Sequence, residues 1–89
     1  MTKPIKYHYH VWWLQHLWIG GITFGHHVFF KRKQGEVPRH LLVHEVVHVE
    51  QIEKLGRIRF YLTYLWELLR HGYRNNKFEV EARKRSGKD

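Results

Sequence analysis

The sequence predicts an α+β fold in which a small antiparallel β-hairpin is followed by three helices. Three features predict it: alternating aromatic and β-branched residues near the start, two short β-prone runs around a glycine-containing turn, and long apolar helical patterns that end at glycines. The 89 residues form one domain, 1–89, near the lower size limit for independent folding. Because 16% of them are aromatic, the core can be dense despite its size.

The first part of the chain is β-prone. The stretch "IKYHYHVWW" alternates in the manner of an extended segment. The predicted hairpin spans 21–33, with strands at 22–24 and 28–31 around the turn Gly25-His26-His27, where glycine permits a positive φ. The following "KQGEVP" has the glycine and proline that are typical of a loop.

Three helices follow. The first is predicted over 38–55, from Pro38 to the stop at Gly56, and apolar residues on most of its sides indicate a buried central helix. The second is predicted over 58–71 and the third over 76–85, with Gly72 ending the second. The residues predicted on the buried side of the second helix are Ile58, Tyr61, Leu62, Leu65, Leu68 and Leu69.

Composition limits the chemistry that the chain can support. It contains no cysteine, which excludes disulfides and thiolate metal sites. Any metal would have to be bound by His, Asp or Glu, and the chain contains nine histidines. The net charge of +8 indicates an acidic partner, nucleic acid or anionic lipid. "VWWLQHLWIGGITF" is too short to span a bilayer and contains Gln15 and His16. With no secretory signal in the sequence, a cytoplasmic location without a transmembrane segment is expected.

The stretch "HLLVHEVVHVEQ", residues 40–51, contains an H-E-x-x-H motif. On a helix, His44 and His48 project from one face and can bind one Zn²⁺ ion. Glu45 is rotated by about 100° from His44, so it can act as general base on a zinc-activated water. The alternative is two core histidines with hydrogen-bond partners. Because an unpartnered carboxylate on a helix surrounded by aliphatic residues is costly, the metal hypothesis is favoured.

A catalytic zinc needs a third protein ligand and an open position. The metzincin pattern is excluded, since Gln51 and Lys54 stand where its glycine and third histidine would be. The candidates are the carboxylates of the later helices, Glu67, Glu79 and Glu81.

The order "ITFGHHVFF", "HLLVHEVVHVEQ", "FEVEA" resembles HtpX-like and related gluzincin peptidases over residues 21–85, and "GYRNNKFEVEARKR" resembles the tail of short bacterial and phage zincin-like proteins. The resemblance implies a minimal gluzincin with Glu79, three residues before Ala82, as the third ligand. The chain has Arg83 where the HtpX-like pattern usually has an aspartate, and it lacks the membrane helices of that family. Asn76 and Glu79 also fit a capping box, which would engage Glu79 with a backbone N–H instead.

A peptidase also needs groups that bind the substrate and stabilise the transition state. The second hairpin strand, 28–31, is predicted to be an edge strand that can pair with an extended peptide. His71 and Tyr73 are candidate donors to the oxyanion that amide hydrolysis forms, although either side chain can instead cap or pack. A second metal site is conceivable among the remaining histidines, although partly exposed side chains are the commoner explanation: His8, His10, His26 and His27.

The sequence therefore predicts a zinc-dependent peptidase acting on peptide or protein substrates. Two alternatives stay open: a non-catalytic interaction module that zinc stabilises, and a basic nucleic-acid-binding domain. The basic residues that would form the nucleic-acid patch are Lys31, Arg32, Lys33, Arg57, Arg59, Arg70 and Arg74.

Overall fold

The computed structural model describes residues 4–87 and confirms the α+β prediction, with a three-stranded sheet and three helices. Two short 3₁₀ helices, Trp12–His16 and Gln34–Glu36, occupy the connections. The strands and α-helices are β1 (Lys6–His8), β2 (Gly21–Phe24), β3 (His27–Phe30), α1 (Arg39–Leu55), α2 (Arg57–His71) and α3 (Lys77–Ser86).

The sheet has the strand order β1-β3-β2. β2 and β3 form the predicted antiparallel hairpin, which turns at Gly25 with φ 64°. His27 belongs to β3 rather than to the turn. Of the predicted extended segment, 5–13, only Lys6–His8 form a strand, β1, whereas Trp12 and Trp13 begin a 3₁₀ helix instead. β1 pairs parallel with β3, so that Tyr7 lies opposite Val28 and the sheet is mixed.

The prediction that the second hairpin strand is an edge strand is wrong. β1 pairs with β3 on the side away from β2, which makes β3 the central strand. The hairpin pattern could not reveal this, because the pairing of β1 depends on how residues 9–20 lead the chain back to the sheet. The edge strand of the hairpin is β2, and it contacts α1.

α1 is the central helix, as predicted. Pro38 stands at its N-cap and Gly56, with φ 87°, lies at its C-cap and at the N-cap of α2. One core cluster joins the sheet to α1, and a second joins the three helices. The clusters consist of Val28, Phe30 and Val49, and of Ile52, Phe60 and Phe78.

α2 buries fewer of its apolar residues than predicted. Of its residues only Phe60 is fully buried, and Tyr61 and Leu68 are half-buried. The other four predicted core residues are exposed, because within residues 4–87 no element covers that side of the helix: Ile58, Leu62, Leu65 and Leu69. In the same part of the chain, no helix combines the length and the apolar character that crossing a bilayer requires.

Candidate metal centre

α1 and α3 bring the three predicted metal ligands together. His44 and His48 lie one turn apart on α1, and Glu79 is in the first turn of α3. The Nε2 atoms of His44 and His48 lie 2.8 and 3.2 Å from Oε1 of Glu79. One ligand atom from each residue lies within 4.8 Å of the other two. Both imidazoles thus point the same nitrogen at one carboxylate.

These residues fit a zinc ion. Tetrahedral zinc with bonds of about 2.0–2.1 Å to nitrogen and oxygen separates its ligand atoms by roughly 3.3 Å, close to the two nitrogen–oxygen distances here. Two imidazoles and one glutamate are a donor set of catalytic zinc sites, which keep the fourth position open. Without the metal, the Nε2–H groups of both histidines can donate hydrogen bonds to Glu79. Zinc binding would displace these protons from the Nε2 atoms.

Gln51 orients His48. Its Oε1 accepts a hydrogen bond of 2.9 Å from Nδ1 of His48, which leaves Nε2 directed at Glu79. Its Nε2 donates to the carbonyl of Phe78 at 3.1 Å and to Oε1 of Glu81 at 2.7 Å. Glu81, a candidate third ligand in the sequence, therefore contacts the site through Gln51 and not as part of the convergent group.

The start of α3 sets the position of Glu79. Oδ1 of Asn76 accepts from the backbone N–H of Phe78 at 2.9 Å, and Oε1 of Glu67 accepts from the backbone N–H of Lys77 at 3.0 Å. The N–H of Asn76 itself donates to the carbonyl of Tyr73. Asn76 and Glu67 therefore cap the N-terminus of α3. The Glu79 side chain contacts the histidines and does not form the capping box that the sequence allowed.

Tyr64 of α2 holds the second oxygen of Glu79. Its hydroxyl donates to Oε2 at 2.5 Å, and its pKa is raised by burial and by this hydrogen bond, so the phenol stays protonated. No sequence motif marks this residue. The available signal was a tyrosine in the helix that precedes the proposed ligand, which is too common to be specific.

Contacts within the cluster lower the pKa of Glu79 and raise the pKa of His48. Burial alone would raise the pKa of Glu79, but hydrogen bonds from His44 and His48 outweigh it and hold the pKa well below its usual range. Burial would likewise lower the pKa of His48, yet its hydrogen bond to Glu79 and the charge of that carboxylate raise it. Glu79 is therefore ionised at neutral pH, as a metal ligand must be.

Glu45 has the environment of a general base. It is 5% exposed, and its Oε1 accepts a 2.7 Å hydrogen bond from Oγ1 of Thr23 on β2. Burial raises the pKa of Glu45 above its ordinary value, although His48, Thr23 and His44 oppose the shift. A carboxylate with a raised pKa takes a proton more readily at neutral pH. The sequence gives no sign of the contact between Thr23 and Glu45, because it depends on the packing of β2 against α1.

An open cavity of about 220 Å³ lies beside the cluster. Its lining includes Glu45, His48 and Glu79, together with β2 and part of α2. Tyr73 also lines it, and burial together with the charges of Glu79 and Glu45 raises the pKa of this phenol to about 12. Tyr73 can thus donate a hydrogen bond into the cavity, whereas His71 lies exposed at the end of α2, outside the lining residues.

Among the other histidines, the structure shows pairwise contacts. His8 Nε2 and His27 Nδ1 are 3.1 Å apart, and His26 pairs with Glu53 at 2.7 Å. Within residues 4–87 no group of three potential ligands other than the His44 cluster comes together. The arrangement of α1 and α3 thus provides one candidate centre for metal-assisted hydrolysis. Comparisons with protein-family models, curated proteins and solved structures find no match to this chain.

Proposed function

We propose that this chain is a zinc-dependent peptidase in which His44, His48 and Glu79 hold Zn²⁺ and Glu45 is the general base. One observation carries the proposal: the buried carboxylate of Glu45 and the ligands His48 and Glu79 line the same open cavity. A zinc site that only stabilised the fold would need neither the cavity nor a fourth acidic or basic group. The carboxylate beside the ligands supports catalysis.

The residues around the cavity account for each step of amide hydrolysis. Zinc, when bound, would supply a Lewis acid that polarises the attacking water and the scissile carbonyl. Glu45 takes the proton of the water and passes it to the leaving amine, while the Thr23 hydroxyl keeps the carboxylate in place. The Tyr73 phenol donates to the oxyanion as it forms. The expected substrates are peptides or proteins of the cytoplasm.

β2 is the strand that would pair with an extended peptide. It is the edge strand on this side of the sheet, and all four of its residues line the cavity. The hydroxyl of Tyr61 donates to the Thr23 carbonyl at 3.1 Å and accepts from the Gly25 N–H at 3.2 Å. Tyr61 therefore occupies the end of the edge near the hairpin turn, including the Thr23 carbonyl, which leaves the start of β2, Gly21 and Ile22, to the substrate.

Zinc content and hydrolysis measured on the same samples test the proposal. Purified protein should bind zinc in a one-to-one ratio and cleave a dye-labelled unfolded protein such as casein. The variant Glu45→Gln should retain zinc and lose hydrolysis. Glu50→Gln is the matched control, because Glu50 is exposed on the same helix, pairs with Arg85 and should be dispensable. Equal hydrolysis by the Glu45→Gln variant and the wild type would contradict the proposal.

The same samples distinguish the two alternatives. A non-catalytic zinc module would bind zinc and unfold on chelation, yet wild type and the Glu45→Gln variant would both be inactive. A nucleic-acid-binding domain would bind DNA or RNA in a salt-sensitive manner that survives the loss of His44.

A further inference from the structure

α2 carries an apolar face that no element within residues 4–87 covers. The exposed fractions of its side chains range from 50% to 79%, and their spacing places them on one side of the helix. We call this set the α2 face, and it consists of Ile58, Leu62, Leu65, Trp66 and Leu69. Monomeric proteins in water seldom leave a continuous apolar strip uncovered, so it indicates a contact with something else.

The border of the α2 face is basic. Arg70 lies one turn after Trp66, with its guanidinium 5.5 Å from the centre of the Trp66 ring. Arg59 lies two turns before Trp66, on the same side of the helix. Arg57 begins the helix. The one acidic residue in the α2 sequence, Glu67, is engaged with the backbone of α3. A partner that covered the α2 face would therefore meet positive charge at its edges.

Aromatic side chains extend this surface toward the cavity. Tyr61 lies one turn from Leu65, and Phe24, which is 62% exposed, stacks on Tyr61 with ring centroids 5.6 Å apart. Trp18 is 82% exposed and contacts the edge of Tyr73. The surface thus projects bulky apolar groups from three segments of the chain.

We propose that the α2 face binds an anionic lipid surface, with the helix in the headgroup plane. Its aliphatic residues and Trp66 enter the boundary of the acyl chains, and Arg59 and Arg70 contact the anionic headgroups. An apolar face with tryptophan and arginine at its border is typical of helices that lie in a membrane interface. The net charge of +8 adds a general attraction to such a surface.

A second copy of the chain fits the α2 face less well. Parallel pairing of two α2 helices places Arg59 against its own counterpart, and antiparallel pairing brings Arg57 near Arg70 of the other copy. Neither arrangement supplies an acidic group to the border, so like charges meet at the contact. An anionic surface complements both the apolar strip and its basic border.

Vesicle co-sedimentation with the full chain tests this proposal. Wild-type protein should bind vesicles of phosphatidylcholine with phosphatidylserine, bind phosphatidylcholine alone weakly, and lose binding as salt rises. The double variant Leu62→Gln with Leu69→Gln should lower the partition coefficient about 100-fold, roughly tenfold for each leucine. Both side chains are exposed, so the fold should persist, which circular dichroism can verify.

Trp12→Gln is the matched control. Trp12 is 76% exposed but lies in the first 3₁₀ helix, outside the α2 face, so binding should be retained. The charge is tested separately: Arg59→Gln with Arg70→Gln should abolish the preference for phosphatidylserine. Glu45→Gln should bind vesicles as the wild type does, so this proposal can fail or hold independently of the peptidase.

Two results would overturn the lipid proposal. One is wild-type protein that stays in the supernatant with phosphatidylserine vesicles. The other is undiminished binding by the Leu62, Leu69 double variant. A dimer in analytical ultracentrifugation that this double variant dissociates, together with absent vesicle binding, would assign the α2 face to a second copy instead.

Discussion

Replacing Gln51 by leucine should weaken zinc binding without touching a ligand. Gln51 is 7% exposed and makes three hydrogen bonds, to His48, Phe78 and Glu81. Leucine has a similar volume but no polar atoms. It leaves Nδ1 of His48 and the carbonyl of Phe78 without these partners in a buried region, whereas the exposed Glu81 can turn to water.

The expected magnitudes follow from those contacts. An unsatisfied buried polar group costs about 1–3 kcal/mol, so the two that remain should lower the free energy of unfolding by about 2–6 kcal/mol. The loss of the hydrogen bond to Nδ1 also frees the ring and the tautomer of His48. Removal of such a partner from a ligating histidine typically weakens metal affinity 10–100-fold.

Two measurements separate these effects. Urea unfolding of the metal-free protein gives the stability change, and competition with a zinc-binding dye gives the affinity. Glu81→Gln is the matched control, because an amide oxygen still accepts from Gln51 and unfolding should change by less than about 1 kcal/mol. Unchanged zinc affinity in a destabilised Gln51→Leu variant would refute the reasoning, since Gln51 would then join α1 to α3 without orienting the metal ligand.

Three further predictions concern the cavity and the cluster. Tyr73→Phe should lower kcat about 10²–10³-fold with zinc content unchanged, as expected for an oxyanion donor, and an unaltered kcat in steady-state assays would exclude that role. Thr23→Val should raise the pKa of Glu45 further, so the acid limb of the kcat/KM profile should move to higher pH; a profile that does not move would contradict this. Because the pKa of Glu79 is lowered on folding, its contribution to metal-free stability is present above the ordinary value of 4.5 and lost as pH falls. Glu79→Gln should therefore flatten the acid limb of urea-unfolding stability, and an unchanged acid limb would show that Glu79 contributes nothing there.

The sequence predicted the three residues that converge in the candidate site and little of its surroundings. The motif places His44 and His48 on one helical face by local geometry alone, and resemblance to gluzincins indicated Glu79. Thr23 and Tyr64 belong to β2 and α2, and their contacts depend on how those elements pack around α1. No local pattern carries that information, since neither residue stands at a characteristic distance from the motif.

The prediction of the fold failed where burial depends on neighbours rather than on periodicity. Helical spacing correctly indicated an apolar strip on α2, but it could not tell whether another part of the chain covers that strip. Likewise, the hairpin was predictable from two short runs around Gly25, whereas the central position of β3 depends on β1, whose residues pair with residues 21 positions later in the chain. Both errors concern contacts between elements that are distant in sequence.

The cluster also joins the helices of this small protein, and this determines which variant best tests catalysis. Glu79 contacts His44 and His48 on α1 and Tyr64 on α2, so its replacement removes contacts between three helices as well as a proposed metal ligand. Within residues 4–87 no buried side-chain nitrogen or oxygen lacks a hydrogen-bond partner, so each such removal leaves other groups unpaired. Glu45 differs, because glutamine keeps the oxygen that accepts from Thr23 and removes only the charge. Loss of hydrolysis in the Glu45→Gln variant can therefore be attributed to the missing base rather than to a loosened fold.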